Sequence, residues 1–179
     1  ALSATGNRKV QAGFEPLVSG FVRAPFDDVQ AVRAIAERDR NVAAVLVEPI
    51  QGEGGVRLPA QGYLKELRRV CNQEGWLLML DEIQCGLCRT GKWYDHQHEG
   101  ILPDVLTSAK ALANGLPIGA CLTHGKAAEL MQPGSHGSTF GGNPLVSRAA
   151  CTVLEVMENE SLAERAAAAG KTMLAGLRE

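Results

Sequence analysis

The stretch "WLLMLDEIQ", Trp76 to Gln84, decides the fold. Its five leading apolar residues are too few for a helix and suit a strand covered on both faces. Two acids, Asp81 and Glu82, stand where that strand ends. Immediately upstream, "PAQGYLKELRRVCNQEG" (Pro59 to Gly75) has helical spacing and a glycine stop. Further upstream, "VAAVLV" (Val42 to Val47) is a second continuous apolar run, and downstream "DVLTSA" (Asp104 to Ala109) and "PIGACLT" (Pro117 to Thr123) give two more predicted strands. "FVRAP" (Phe21 to Pro25) is a further predicted strand. "DDVQAVRAIAERD" (Asp27 to Asp39) is a predicted helix with acids at its start and apolar residues at Val29, Val32, Ile35 and Ala36. Helices are also predicted at about Gly125 to Met131, Pro144 to Glu158 and Ser161 to Arg178. Alternating strands and helices are the pattern of βαβ units, so the chain reads as one α/β domain on a mainly parallel sheet.

Composition narrows the function. Eighteen basic residues against twenty acidic ones give a net charge of −2 with no basic run to track a phosphate backbone, which argues against a nucleic-acid partner. The longest apolar runs have strand length, far short of a membrane span, and the opening "ALSATGNRKV" has no apolar signal region. Five scattered cysteines, at 71, 85, 88, 121 and 151, favour reduced thiols and a cytoplasmic location. The polar start and the uncapped helical end, "LAERAAAAGKTMLAGLRE", lead us to expect a piece of a longer protein.

In open α/β sheets, ligands bind beyond the carboxyl ends of the strands. "VAAVLV" ends in Glu48, "WLLML" in Asp81 and "DVLTSA" in Lys110. An acid after a strand is often only a cap, and a lysine there is commonly solvated. Together they resemble an active site, because a lysine in an apolar pocket loses its proton more readily and becomes a nucleophile. A Gly-rich loop, "PGSHGSTFGGNP" (Pro133 to Pro144), adds a place for a phosphate.

Five strings occur in order: "EPIQGEGG" (from Glu48), "LLMLDEIQCG" (from Leu77), "RTGK" (from Arg89), "PDVLTSAKALANGLPIGA" (from Pro103) and "HGSTFGGNPL" (from His136). The chain thereby resembles the class III, fold type I pyridoxal-phosphate aminotransferases, closest to the acetylornithine and ornithine enzymes. The resemblance implies a three-layer cofactor-binding large domain, of which residues 1–179 would be the central part, the helix near 161–179 leading toward a C-terminal domain. It implies pyridoxal 5'-phosphate as cofactor, amino-acid and 2-oxo-acid substrates, and a homodimer.

The same resemblance assigns roles. Lys110 would form the Schiff base with the cofactor and then move the substrate proton, while Asp81 would keep the pyridine nitrogen protonated. Ile83 would press on one ring face and Gln84 would reach the ring oxygen. Ser138 and Thr139 would serve the phosphate, Thr139 that of the neighbouring subunit. Glu53 would be the gate glutamate that pairs with a C-terminal arginine and swings aside for a dicarboxylate. Two positions depart from the family: Cys88 and Asn114 stand where glycine is usual. The implied reaction is transfer of the amino group of N-acetylornithine to 2-oxoglutarate, in arginine biosynthesis, with ornithine and succinylornithine as alternative donors.

Two readings compete. A truncated, non-catalytic homologue that only binds cofactor or dimerises would carry the same motifs. Cys85 and Cys88 form a C-x-x-C followed by His96 and His98, which on paper is a zinc or redox module. Only seven residues separate Cys88 from His96, tighter than a zinc finger, and no helix opens at the cysteine pair as in a thioredoxin motif. The expectation is therefore no metal. His136 and the other histidines read as loop hydrogen-bonding residues.

Overall fold

A computed structural model describes residues 2–179. Strands β1 (Ala44–Val47), β2 (Leu77–Asp81), β3 (Val105–Ser108) and β4 (Ala120–Thr123) form one sheet in the order β1-β2-β3-β4. The first three are mutually parallel and β4 joins β3 antiparallel, so the sheet is mixed and mainly parallel. The helices are α1 (Arg8–Gln11), α2 (Val29–Arg38), α3 (Tyr63–Glu74), α4 (Lys126–Leu130), α5 (Pro144–Asn159) and α6 (Leu162–Gly176). Two 3-10 turns, Asp95–His98 and Lys110–Ala113, complete the regular structure.

The helix ends follow from their sequences. Asp28 opens α2 by accepting the Ala31 N–H at 2.9 Å, and Asn143 opens α5 by accepting the Val146 N–H at 3.2 Å ahead of Pro144 at the first helical position. Helix α3 starts at Gly62, which has no side chain to cap with. Its free N–H groups are taken from a distance by the Glu99 carboxylate, which accepts from Gly62 at 3.1 Å and Lys65 at 2.9 Å. Gly75 stops α3 at φ 74°, a left-handed position suited to glycine.

Packing divides into two clusters. In the first, Val32 and Ala36 of α2 and Leu64, Leu67, Val70 and Cys71 of α3 cover Leu78 and Leu80 of β2. These are the alternate residues of the strand, and Leu67, Leu78 and Leu80 are wholly buried. In the second cluster, Ala150 and Met157 of α5 and Ala163 of α6 pack on Leu87, Cys88, Leu112 and Ala113, beyond the carboxyl ends of the strands. One helical group thus sits on a sheet face, and the other closes the end where ligands bind in such folds. Leu46 of β1 remains 47% exposed.

The predicted strand Phe21–Pro25 does not form. Residues 21–25 lie outside any strand, with Phe21 and Val22 half exposed or more. Arg23 ties the segment to the backbone carbonyls of Ser3 and Ala4, at 2.8 Å each, so no sheet edge takes up its amides. The other predicted elements are present with shifts of a few residues at their ends.

At the amino end of the sheet, Asp104 locks β2 to β3. Its Oδ2 accepts the Leu78 N–H at 2.7 Å and the Arg68 guanidinium at 2.6 Å. Burial pushes its pKa up, but the hydrogen bonds from Arg68 and Leu78 and the Arg68 charge outweigh it, leaving the carboxyl below its ordinary value. A carboxyl depressed in the folded state stabilises above its unfolded pKa, near ~3.9, and loses that contribution as pH falls through the folded value. Asp104→Asn is expected to cost on the order of 2 kcal/mol at pH 7. The loss is expected to shrink below about pH 4 in urea titrations across pH.

Candidate active site

The carboxyl ends of β1, β2 and β3 lie side by side, and each delivers one of the residues picked out from the sequence. Asp81 is the last residue of β2, half buried, and accepts one hydrogen bond, from the Ile83 N–H to Oδ1 at 3.1 Å. Lys110 follows β3 by two residues and its side chain is exposed. Its ammonium nitrogen meets the Gln84 side-chain oxygen, so Gln84 bridges from the β2 end to the lysine. Ile83, half buried, sits between Asp81 and Gln84 in the same turn.

Lys110 has φ 48°, a left-handed backbone that side-chain-bearing residues rarely adopt. Strain of this kind clusters at sites that do chemistry, because the surrounding structure must hold it in place. Asn114, at φ 49°, closes the following turn and suits its conformation, since asparagine tolerates the left-handed region better than most.

Glu48, at the end of β1, accepts the Gly52 N–H at 3.2 Å and so braces the loop that follows. That loop is pinched shut by a two-way backbone bridge between Gln51 and Arg57. A Cβ on Gly52 would stand 2.4 Å from Gln84 Cγ, so glycine is what allows this loop to touch the Gln84 side chain. Glu53, on the same loop, is exposed and forms no ion pair among the described residues.

Ser138 and Thr139 are exposed in the loop before α5. The Ser138 hydroxyl accepts the Gly141 N–H at 3.1 Å, and the Asn143 amide holds the Phe140 carbonyl at 2.9 Å. Among the described residues no hydrogen bond joins Ser138 or Thr139 to Asp81, Gln84 or Lys110. The structure therefore brings together Asp81, Ile83, Gln84 and Lys110, with Glu53 on the adjoining loop and Ser138 and Thr139 not bonded to them among the described residues.

The cysteine pair has different surroundings from a metal or redox centre. Cys85 and Cys88 are buried, and burial pushes the Cys85 thiol up, with the Glu82 and Asp95 carboxylates adding to the shift. A protonated, buried thiol is a poor nucleophile. His96 Nδ1 bonds the Glu82 carboxylate at 2.7 Å, and His98 Nε2 bonds the Thr90 carbonyl at 3.0 Å. Among the described residues no three His, Cys, Asp or Glu side chains gather as a metal cluster. Cys88 adopts φ 66°, so the residue that departs from glycine does occupy a left-handed turn.

One polar centre escaped the sequence reading. Glu82 is 1% exposed and accepts from Asp95 N at 2.5 Å, His96 N at 3.0 Å and His96 Nδ1 at 2.7 Å, pinning the 95–98 turn to the end of β2. Strand alternation was the available signal: Asp81 alternates with the buried Leu78 and Leu80, so the next residue returns to their face and must find partners there.

The family model described as aminotransferase class-III matches residues 1–179. Acetylornithine aminotransferase of Nitrosomonas europaea is 59% identical over 172 residues, covering 96% of this chain and 44% of that protein. The enzyme of the same name from Mycolicibacterium smegmatis is 49% identical over all 179 residues, again covering 45% of its length. Among solved structures, ornithine aminotransferase of Toxoplasma gondii superposes with a TM-score of 0.91 at 43% identity, over 96% of this chain and 41% of that one. Acetylornithine aminotransferase of Elizabethkingia anophelis gives 0.81 at 42% identity, over 86% and 39%. This chain spans less than half the length of the curated relatives it matches. With the family model matched from end to end and the fold shared with solved aminotransferases, the chain belongs to the class-III aminotransferases, a pyridoxal-phosphate-dependent family.

Proposed function

We propose that this chain is the central part of the large domain of an aminotransferase that moves the amino group of N-acetylornithine to 2-oxoglutarate, yielding N-acetylglutamate 5-semialdehyde and glutamate. The observation that carries the reading is the amine of Lys110 and the carboxylate of Asp81 at the carboxyl ends of adjacent parallel strands, with Gln84, three residues after Asp81, bonded to the lysine. The residues present fit pyridoxal phosphate: a carboxylate for the ring nitrogen, an amine for the aldehyde end and an apolar side chain, Ile83, for the ring face. A bound pyridoxal phosphate supplies an aldehyde that accepts amino groups and a ring that draws electrons from the substrate Cα.

The residues supply the rest. Asp81 holds a proton on the ring nitrogen by a charge-assisted hydrogen bond. Lys110 anchors the cofactor and then carries a proton to and from the substrate Cα as a general base and acid. Gln84 orients both the lysine and the ring oxygen. The hydroxyls of Ser138 and Thr139 bind phosphate, Thr139 across a homodimer interface, which accords with their exposure. Glu53, exposed on its pinched loop, gates a second carboxylate.

The substrate assignment draws on relatives named acetylornithine aminotransferase at 46–59% identity. A place in arginine biosynthesis follows from that substrate, and five free thiols agree with a cytoplasmic location. Among the described residues no helix is long and apolar enough to cross a membrane. Ornithine is the second reading, favoured by the TM-scores of 0.91 and 0.93 to the Toxoplasma gondii ornithine enzyme.

Glutamate formation from 2-oxoglutarate, measured with each amino donor after adding pyridoxal phosphate, tests the proposal. N-acetylornithine is expected to give the highest kcat/KM. If it is the poorest of acetylornithine, ornithine and succinylornithine, the substrate assignment fails. Cofactor binding without turnover on any donor would favour the non-catalytic reading.

A further inference from the structure

Two buried hydroxyls, Thr107 Oγ1 and Ser108 Oγ, have no hydrogen-bond partner among the described residues. Both stand at the carboxyl end of β3, where the site is built. Thr107 is the register partner of Asp81, and the Glu82 N–H donates to the Thr107 carbonyl at 3.1 Å, which carries the register one residue further. Alternation then sets Thr107 on the face of Asp81 and Ser108 on the face of Glu82. The two carboxylates differ in what they already receive. Glu82 takes three N–H groups, whereas Asp81 takes one, on Oδ1.

A buried hydroxyl without a partner lowers stability, so an orphan beside a carboxylate with an oxygen to spare has a physical use close at hand. Neighbouring strands lie roughly 4.7–4.9 Å apart, a gap that one hydroxyl spans by rotating about χ1. We propose that Thr107 is a positioning residue: when the cofactor is bound, its hydroxyl donates to the Asp81 oxygen that Ile83 leaves free, and so fixes the carboxylate plane against a protonated ring nitrogen. This rests on the cofactor reading given under Proposed function. Thr107 acts through Asp81 and does not itself touch the reacting atoms.

The test compares three variants for melting temperature without cofactor and for pyridoxal-phosphate affinity by visible absorbance. Thr107→Val keeps the shape and deletes the hydroxyl. It is expected to melt at or above the parent temperature, because the orphan is gone, yet to bind pyridoxal phosphate about 10-fold more weakly, the size expected for a hydrogen bond to a charged group. Thr107→Ser restores the donor and is expected to recover affinity to within about threefold of the parent. Ser108→Ala, on the other face, is expected to leave affinity within about twofold. Unchanged affinity in Thr107→Val overturns the proposal, as does a joint fall in melting temperature and affinity that Thr107→Ser does not repair. If the parent chain develops no absorbance with pyridoxal phosphate while Lys110 is intact, the cofactor reading itself fails and this inference falls with it.

Discussion

Lys110→Ala is expected to abolish the visible absorbance that the parent chain gains with pyridoxal phosphate, and to lower transamination by at least about 10³-fold. The physical reason is that one amine performs two tasks. In the proposed function it is both the nucleophile that anchors the cofactor and the base that moves the substrate proton, and no second amine is hydrogen-bonded to Gln84 in the described site. The fold should not notice. The Lys110 side chain is exposed, and alanine at φ 48° meets the same backbone strain, so stability is expected to stay within about 0.5 kcal/mol of the parent. Loss of the band with an unchanged urea midpoint separates a missing reactive group from a damaged domain. A variant that keeps the band would remove Lys110 from the centre of the proposed chemistry.

The second large effect belongs to Glu82→Ala, and it falls on stability. The substitution leaves the backbone N–H groups of Asp95 and His96, and the His96 ring, without their acceptor in a region closed to water. Several donors stripped together at a buried site cost about 3–5 kcal/mol, a large share of the 5–15 kcal/mol that holds a typical domain. Glu82→Gln keeps the shape and one acceptor oxygen, so its cost should be about 1–2 kcal/mol. Urea unfolding of both variants reads the difference. If Glu82→Ala unfolds at the parent midpoint, the 95–98 turn is not held by this carboxylate.

How much of this was legible in the sequence differs from residue to residue for physical reasons. Continuous apolar runs such as "WLLML" can be buried only as central strands, so β1, β2 and β3 and the helices between them could be read directly. The positions of Asp81 and Lys110 could be read because a charge following such a run stands at the carboxyl end of its strand. "FVRAP" failed because β propensity says nothing about whether a neighbouring strand is there to pair with. Glu82 and Thr107 were missed for a related reason. Glu82 takes its partners from the 95–98 turn, and the role proposed for Thr107 depends on which residue lies opposite on the next strand, both properties of the assembled fold. Glu53, Ser138 and Thr139 were selected by family motif alone, and their surroundings in this chain are loops that add little of their own.

The left-handed backbone at Lys110 bears on how such a sequence drifts. At that φ, glycine would relieve the strain, so selection for stability alone would erase the lysine. Glycine, however, carries no amine. The position is therefore one where mutational pressure toward a sturdier protein and pressure toward a working one point to different residues at a single Cα. A lineage released from the need for the amine should reveal itself there first, by a change from lysine to glycine or asparagine while Asp81 and the apolar strands persist.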